Sequence, residues 1–258
     1  MNRCNFSYRL FSAIALCAAL MIFGGCATSQ KNRDEAGLRL RLGTSFLTQG
    51  NYPSAIRELQ QAKTLDPENV IVLNNLGLAY YLREHYDLAL QELAHAIHLQ
   101  PKYSEARNNY GRVLIDVARY DDAIHELQIV VNDLTYEDPA KAWVNLGLAY
   151  FRKGDFIKAR DQFAEAIKAN RDYCLGQSYY GRALLELGQL KSAAQVLDNA
   201  VLICRTSQFD EPHYFSGLTY YKLGKTSSAI ARMEEVIKLF PQGRYAKRAE
   251  SLLTVMKN

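Results

Sequence analysis

The sequence predicts an all-α chain: an α-solenoid of six helix–turn–helix repeats closed by a C-terminal helix. Glycines recur at Gly43, Gly77, Gly111, Gly147, Gly181 and Gly217, in steps of 34, 34, 36, 34 and 36 residues. Twelve residues after each glycine stands an alanine (Ala55, Ala89, Ala123, Ala159, Ala193 and Ala229). Four residues further comes a bulky apolar side chain: Leu59, Leu93, Leu127, Phe163, Leu197 or Met233. Self-similarity at a fixed period of this length marks stacked repeats, because one helical pair cannot bury its own apolar stripe. Composition agrees. Leu, Ala and Tyr are abundant, Pro is rare and nearly half of the chain is apolar, which favours helix with an ample core.

The chain opens with a segment to set aside from the fold. Arg3 and Arg9 form a basic start, and residues 10–23 are an apolar run too short to span a bilayer comfortably. The run ends in Phe23-Gly24-Gly25-Cys26, which resembles the lipobox of bacterial lipoproteins, with Phe in place of the usual Leu. The resemblance implies cleavage after residue 25 and lipidation of Cys26. An ordinary secretory signal or an uncleaved anchor would use the same residues. Ala27 stands where Asp commonly holds a lipoprotein at the inner membrane, so the implied location is the outer membrane, facing the periplasm. Residues 26–35 read as a short polar tether.

The repeats then run over residues 36–69, 70–103, 104–139, 140–173, 174–209 and 210–243. Pro67, Pro101 and Pro241 close the first, second and sixth. Tyr52, Tyr86, Tyr120 and Phe156 begin second helices at equivalent places. Asp87, Asp121, Asp122 and Asp155 lie around those starts, where a helix N-terminus favours carboxylates, so they read as capping groups and not as acid–base pairs. The two longer steps place extra residues near 135–139 and 206–210. Residues 244–258 read as a capping helix that lays Ala246, Ala249, Leu252 and Leu253 on the last repeat.

The fourth repeat reads Trp143-x-x-Leu146-Gly147-x-x-Tyr150, then Ala159-x-x-x-Phe163. This is similar to the tetratricopeptide repeat (TPR), and the resemblance covers all six registers. It implies a TPR superhelix whose first helices line a concave wall. By that register the wall carries Leu40 and Leu47, then Ile71, Leu78, Tyr81 and Leu82, then Ile115, Leu148, Phe151, Leu185, Tyr214, Leu218 and Tyr221. Apolar side chains on a wetted wall ask for a protein partner, an extended peptide or an amphipathic helix; the same residues are equally the kind that pack between repeats. Asn75, Asn109 and Asn145 share one position and are either a clamp on a partner's backbone or bonds to neighbouring helices. Arg112, Lys141 and Arg182 add charge for steering.

Of five cysteines, Cys4 and Cys17 leave with the leader and Cys26 takes lipid. Cys174 and Cys204 fall at the start of the first helix and just past the second helix of repeat five. Antiparallel pairing brings those ends together, so the pair forms a disulfide in an oxidising compartment or remains two packed thiols.

No phosphate loop, nucleophile elbow or zinc-helix motif appears. His95 and His98 are three apart on one helix but lack a carboxylate or cysteine to complete a metal site. The formal charge of +4 is scattered, which argues against nucleic acid as partner. The sequence therefore predicts no enzyme, cofactor, metal or small-molecule substrate.

The mature layout also resembles the PilF/PilW/Tgl pilotins of type IV pilus systems. The resemblance is carried by Ala106-Arg107-Asn108-Asn109-Tyr110-Gly111, the long connection around Asp133-Leu134-Thr135-Tyr136, and Asn145-Leu146-Gly147. It implies a lipid-anchored adaptor that helps the secretin PilQ reach the outer membrane and assemble. The alternative is a lipid-anchored scaffold for cell-wall hydrolases or outer-membrane protein assembly.

Overall fold

The computed structural model describes residues 30–207 and 209–257, and every regular element among them is helical. Cys26 and the leader lie outside the described residues. The chain divides into two compact units after Ala106.

The first unit holds α1 (residues 30–48), α2 (Tyr52–Leu65), α3 (Val70–Leu82) and α4 (Tyr86–Leu99). Helix α1 already runs at residue 30, so the last six residues of the expected tether are helical. The cause is local pairing: Gln30 donates to Asp34, and Arg39 bridges Glu35 at 3.3 Å and Glu58 of α2 at 2.9 Å.

The second unit holds α5 (Ser104–Asp116), whose first turn spans the division, then α6 (Tyr120–Val131), α7 (Pro139–Lys153) and α8 (Phe156–Ala169). It continues with α9 (Cys174–Glu186), α10 (Leu190–Ile203), a 3₁₀ turn (Cys204–Thr206), α11 (Glu211–Lys222), α12 (Thr226–Leu239) and α13 (Ala246–Lys257).

Helix starts follow the side chains available. Asn51, Asn69, Asp138 and Asp155 each accept from backbone N–H groups of the first turn. Asp87, Asp121 and Asp122 sit inside the first turns of α4 and α6, where the helix dipole favours them; Asp121 also accepts from Lys153 and Asp122 from Arg119. Seven residues after each repeat glycine the chain turns through the left-handed region. Gly50, Gly154, Gly188 and Gly224 occupy that place in four repeats, Glu84 and Ala118 in the other two.

Within each pair the repeat glycine lies against the bulky residue sixteen positions on. A β-carbon on Gly43, Gly77, Gly111, Gly147, Gly181 or Gly217 would stand 2.5–2.8 Å from Leu59, Leu93, Leu127, Phe163, Leu197 or Met233. These six large side chains are fully buried. Between repeats, the second helix packs on the next first helix: α2 on α3, α6 on α7, α8 on α9, α10 on α11. Helix α13 closes the last repeat, with Ala249 buried and Leu252 and Leu253 packed against a core that contains Phe215, Met233, Val236 and Tyr245.

Candidate protein-binding surface

In the first unit the expected wall is partly open. Ile71 is 49% and Leu82 40% exposed, while Leu40, Leu47, Leu78 and Tyr81 are half-buried. Asn69 fixes the start of α3 by accepting from the backbone N–H groups of Ile71 and Val72. Ile71 thereby stands at a cleft of about 450 Å³ lined also by Glu68, Asn69, Val70, Leu99 and Gln100. The wall rests on a rigid base. Lys63 donates to both oxygens of Glu92 at 2.7 and 2.8 Å, and Gln60 donates to the Tyr80 hydroxyl at 2.7 Å. Glu58 is held below the usual carboxylate range, chiefly by the hydrogen bond from Arg39.

In the second unit the register reading needs correction. Ile115, Leu148 and Leu185 are buried, at 4%, 3% and 3% exposure. Leu185 belongs to the closing core of the last two repeats, and α7 is covered by both α6 and α8. Ile115, Leu148 and Leu185 stand four, one and four residues after their repeat glycines, and at these places the side chain packs between helices instead of lining an open wall. Phe151 is half-buried, its ring 5.2 Å from Phe156 and 6.5 Å from Tyr179. Tyr214 stacks on Tyr245 at 4.7 Å, Leu218 packs on the same closing core, and Tyr221 is 40% exposed.

The asparagines serve neighbouring helices. Asn75 donates to Thr44 Oγ1 of α1 at 2.9 Å, and Asn145 donates to Asn108 Oδ1 of α5 at 2.9 Å. Asn109 and Asn145 are each only 6% exposed. Of the two readings, Asn75 and Asn145 follow the second, each bonding a neighbouring helix through an amide N–H. Asn109 is likewise sealed from solvent.

Sequence reasoning also missed a cage. Arg182, expected to steer, pairs with Glu211 and lies over the rings of Phe215, Phe151 and Tyr179 at 4.3, 4.9 and 5.2 Å. Burial pushes the Glu211 carboxyl up, against the pull of Arg182, and pushes the Tyr179 phenol up as well. The signal was present as aromatics on the repeats flanking Arg182, but only packing shows that they converge. Arg112 pairs with Asp116 one turn on, at 3.5 Å.

Cys174 and Cys204 are joined, with Cα atoms 5.2 Å apart, tying the start of α9 to the end of α10. His95 and His98 are both exposed. Among the described residues no group of three or more His, Cys, Asp or Glu side chains gathers around a metal-sized space. What the geometry offers is an apolar, partly open wall on stiff helices, suited to holding another chain.

Comparison with known proteins agrees with the architecture. Family models described as TPR repeat and tetratricopeptide repeat match residues 43–83, 140–173 and 216–243. No curated protein sequence matches. Among solved structures, PilW, described as a widely conserved type IV pilus biogenesis factor, matches with a TM-score of 0.76 at 19% identity, over 83% of this chain and 97% of that one. PilF of Pseudomonas aeruginosa matches with a TM-score of 0.71 at 21% identity, over 85% and 98%. A chain of the APC/C hetero-tetramer Cut9–Hcn1 matches with a TM-score of 0.76 at 18% identity, over 90% of this chain but 45% of that one. At such identities the likeness is one of fold. With its glycine-marked helix pairs stacked as in these solved arrays, the chain carries tetratricopeptide repeats and has their superhelical fold.

Proposed function

We propose that this chain is a lipid-anchored adaptor of type IV pilus biogenesis that binds the secretin PilQ at the outer membrane and promotes its assembly. The observation that carries the reading is the near end-to-end coverage of PilW and PilF, both of which this chain spans over 97–98% of their length. The APC/C chain shares the fold at the TM-score of PilW, but this chain covers only 45% of it, so it supports scaffolding in general and no particular partner.

Two further features support the assignment. Phe23-Gly24-Gly25-Cys26 supplies a lipidation signal, which would place the folded body beside the membrane. Ile71 and Leu82 on α3 leave apolar surface open on a helix whose backbone is fixed. Unassembled secretin subunits carry apolar, strand-forming segments that aggregate when exposed. A tethered holder raises the local concentration of its surface and covers such a segment until the ring closes.

Deleting the gene tests the proposal through the level of heat-resistant secretin multimers. A severe loss, restored by the wild-type gene and not by Ile71→Asp/Leu82→Asp, is expected. Wild-type multimer levels in the deletion overturn it. Envelope or division defects with pili intact would instead assign the chain to cell-wall hydrolases or outer-membrane protein assembly.

A further inference from the structure

Comparing the six first helices position by position isolates one anomaly. Five residues before the repeat glycine stand Leu38, Val72, Ala106, Ala142, Gly176 and Pro212. The last five are buried, whereas Leu38 is 49% exposed. One residue before the glycine, Leu76 and Leu146 are 1% and 2% exposed, whereas Leu42 is 42% exposed. In α3, α7, α9 and α11 the second helix of the preceding repeat packs on the first. Helix α1 has no such helix before it among the described residues. At the other end the same need is met by α13. An apolar seat, made for a neighbour, is left open on α1.

The side chains around the seat indicate its occupant. Lys31, Asp34, Leu38, Arg41, Leu42 and Ser45 are all exposed and share one face at helical spacing. On that face Lys31 and Arg41 outnumber Asp34, which accepts from Gln30, while Glu35 is paired with Arg39. A leucine pair rimmed by cations matches the boundary of a bilayer that contains anionic headgroups. Position agrees with chemistry. The helix is under way at residue 30, four residues after Cys26. Those four residues reach at most about 14 Å, and eight helical residues add about 12 Å, so Leu38 lies within about 26 Å of a lipid on Cys26.

We propose that the outer face of α1, centred on Leu38 and Leu42, docks on the bilayer surface and fixes the orientation of the first repeat there. The proposal rests on the lipidation of Cys26 given above. Two leucines and two cations bind a membrane only marginally from solution, but a lipid on the same segment makes the encounter intramolecular, and a weak contact then suffices.

The test uses the lipoprotein purified from membranes, with Leu42→Trp in a Trp143→Phe background. It is reconstituted into phosphatidylethanolamine–phosphatidylglycerol vesicles with and without brominated acyl chains. Intact mass reads the lipid on Cys26. Where that lipid is missing, the anchor reading fails by itself, and the Cys26 thiol is coupled to a maleimide phospholipid so that docking is still measured.

The expected result is that brominated lipid quenches the emission by about half or more. Adding Lys31→Glu/Arg41→Glu should restore most of it, with circular dichroism unchanged. Emission indifferent to brominated lipid, in a chain that floats with the vesicles, overturns the proposal. So does protection of the tryptophan that follows a concentration-dependent doubling of mass, which gives the seat to a second copy.

Discussion

Phe163 occupies the space that Gly147 leaves open: a β-carbon on Gly147 would stand 2.5 Å from Phe163 Cε1. The ring is fully buried and also stacks on Tyr179 at 5.6 Å, so it has nowhere to retreat. Small residue against large, sixteen positions apart, is the contact on which each helical pair closes.

Gly147→Ala is therefore expected to destabilise by about 1–3 kcal/mol through overpacking. Gly176→Ala provides the contrast. Its β-carbon would meet nothing nearer than 3.6 Å, and replacing glycine within a helix contributes about 0.5–1 kcal/mol in favour of the fold. Urea melts of the two variants should move in opposite directions.

Ala118 holds a left-handed turn at φ 61°, where four other repeats use glycine. An L side chain there costs roughly 1–2 kcal/mol. Ala118→Gly should recover about 1 kcal/mol, less the extra freedom of the unfolded chain. A higher urea midpoint at unchanged slope would show it.

The link between Cys174 and Cys204 closes a loop with a sequence separation of 30. On chain-entropy arithmetic it stabilises the fold by about 3–4 kcal/mol. Cys174→Ser/Cys204→Ser, or reductant on the wild type, should lower the melting temperature accordingly. A thiol titration of the exported protein without reductant should find neither cysteine free.

The contributions of Asp198, Glu235 and His213 to stability should decline in acid, while Glu211, lifted by burial, works in the opposite sense. Burial lifts Asp198, but hydrogen bonds from Tyr220 and Ser216 and the charge of Arg232 outweigh it and hold the carboxyl below the usual range. Glu235 is likewise lifted by burial, yet Arg232 and His213 leave it lowered. Burial pushes the His213 imidazole down, against Glu235. All three groups bind fewer protons folded than unfolded, so their contribution is present above the unfolded pKa values and lost as pH falls through the folded ones. The loss begins below about pH 6.5 for His213 and deepens below about pH 4 for the carboxyls. Thermal melts across that range should show it, and Asp198→Asn should flatten the lower part.

The corrected wall separates two kinds of leucine and isoleucine. Ile71→Asp, at an exposed position, should change stability by no more than about 0.5 kcal/mol while weakening partner capture. Leu148→Asp places a charge in a site 3% exposed and should cost about 4 kcal/mol or more. Denaturant melts alongside secretin multimer assays would separate a binding defect from an unfolded chain.

The sequence by itself determined the helical class, the six registers and the closing helix, because these depend on periodic contacts that repeat wherever Gly, Ala and a bulky residue recur at fixed spacing. It also located Cys174 and Cys204 at helix ends that antiparallel pairing brings together. It did not separate Ile71 from Leu148, although both are apolar residues of first helices. Only the tertiary structure decided that: α3 and α7 are each packed between two helices, but Ile71, six residues before its repeat glycine, is left open, while Leu148, one residue after its glycine, is buried among the packed helices. Likewise Arg182 reads as a free charge along the chain and becomes the centre of an aromatic cage once repeats four to six are stacked. Leu38 and Leu42 show the converse: residues of a core pattern left open, with no preceding helix packed on them among the described residues.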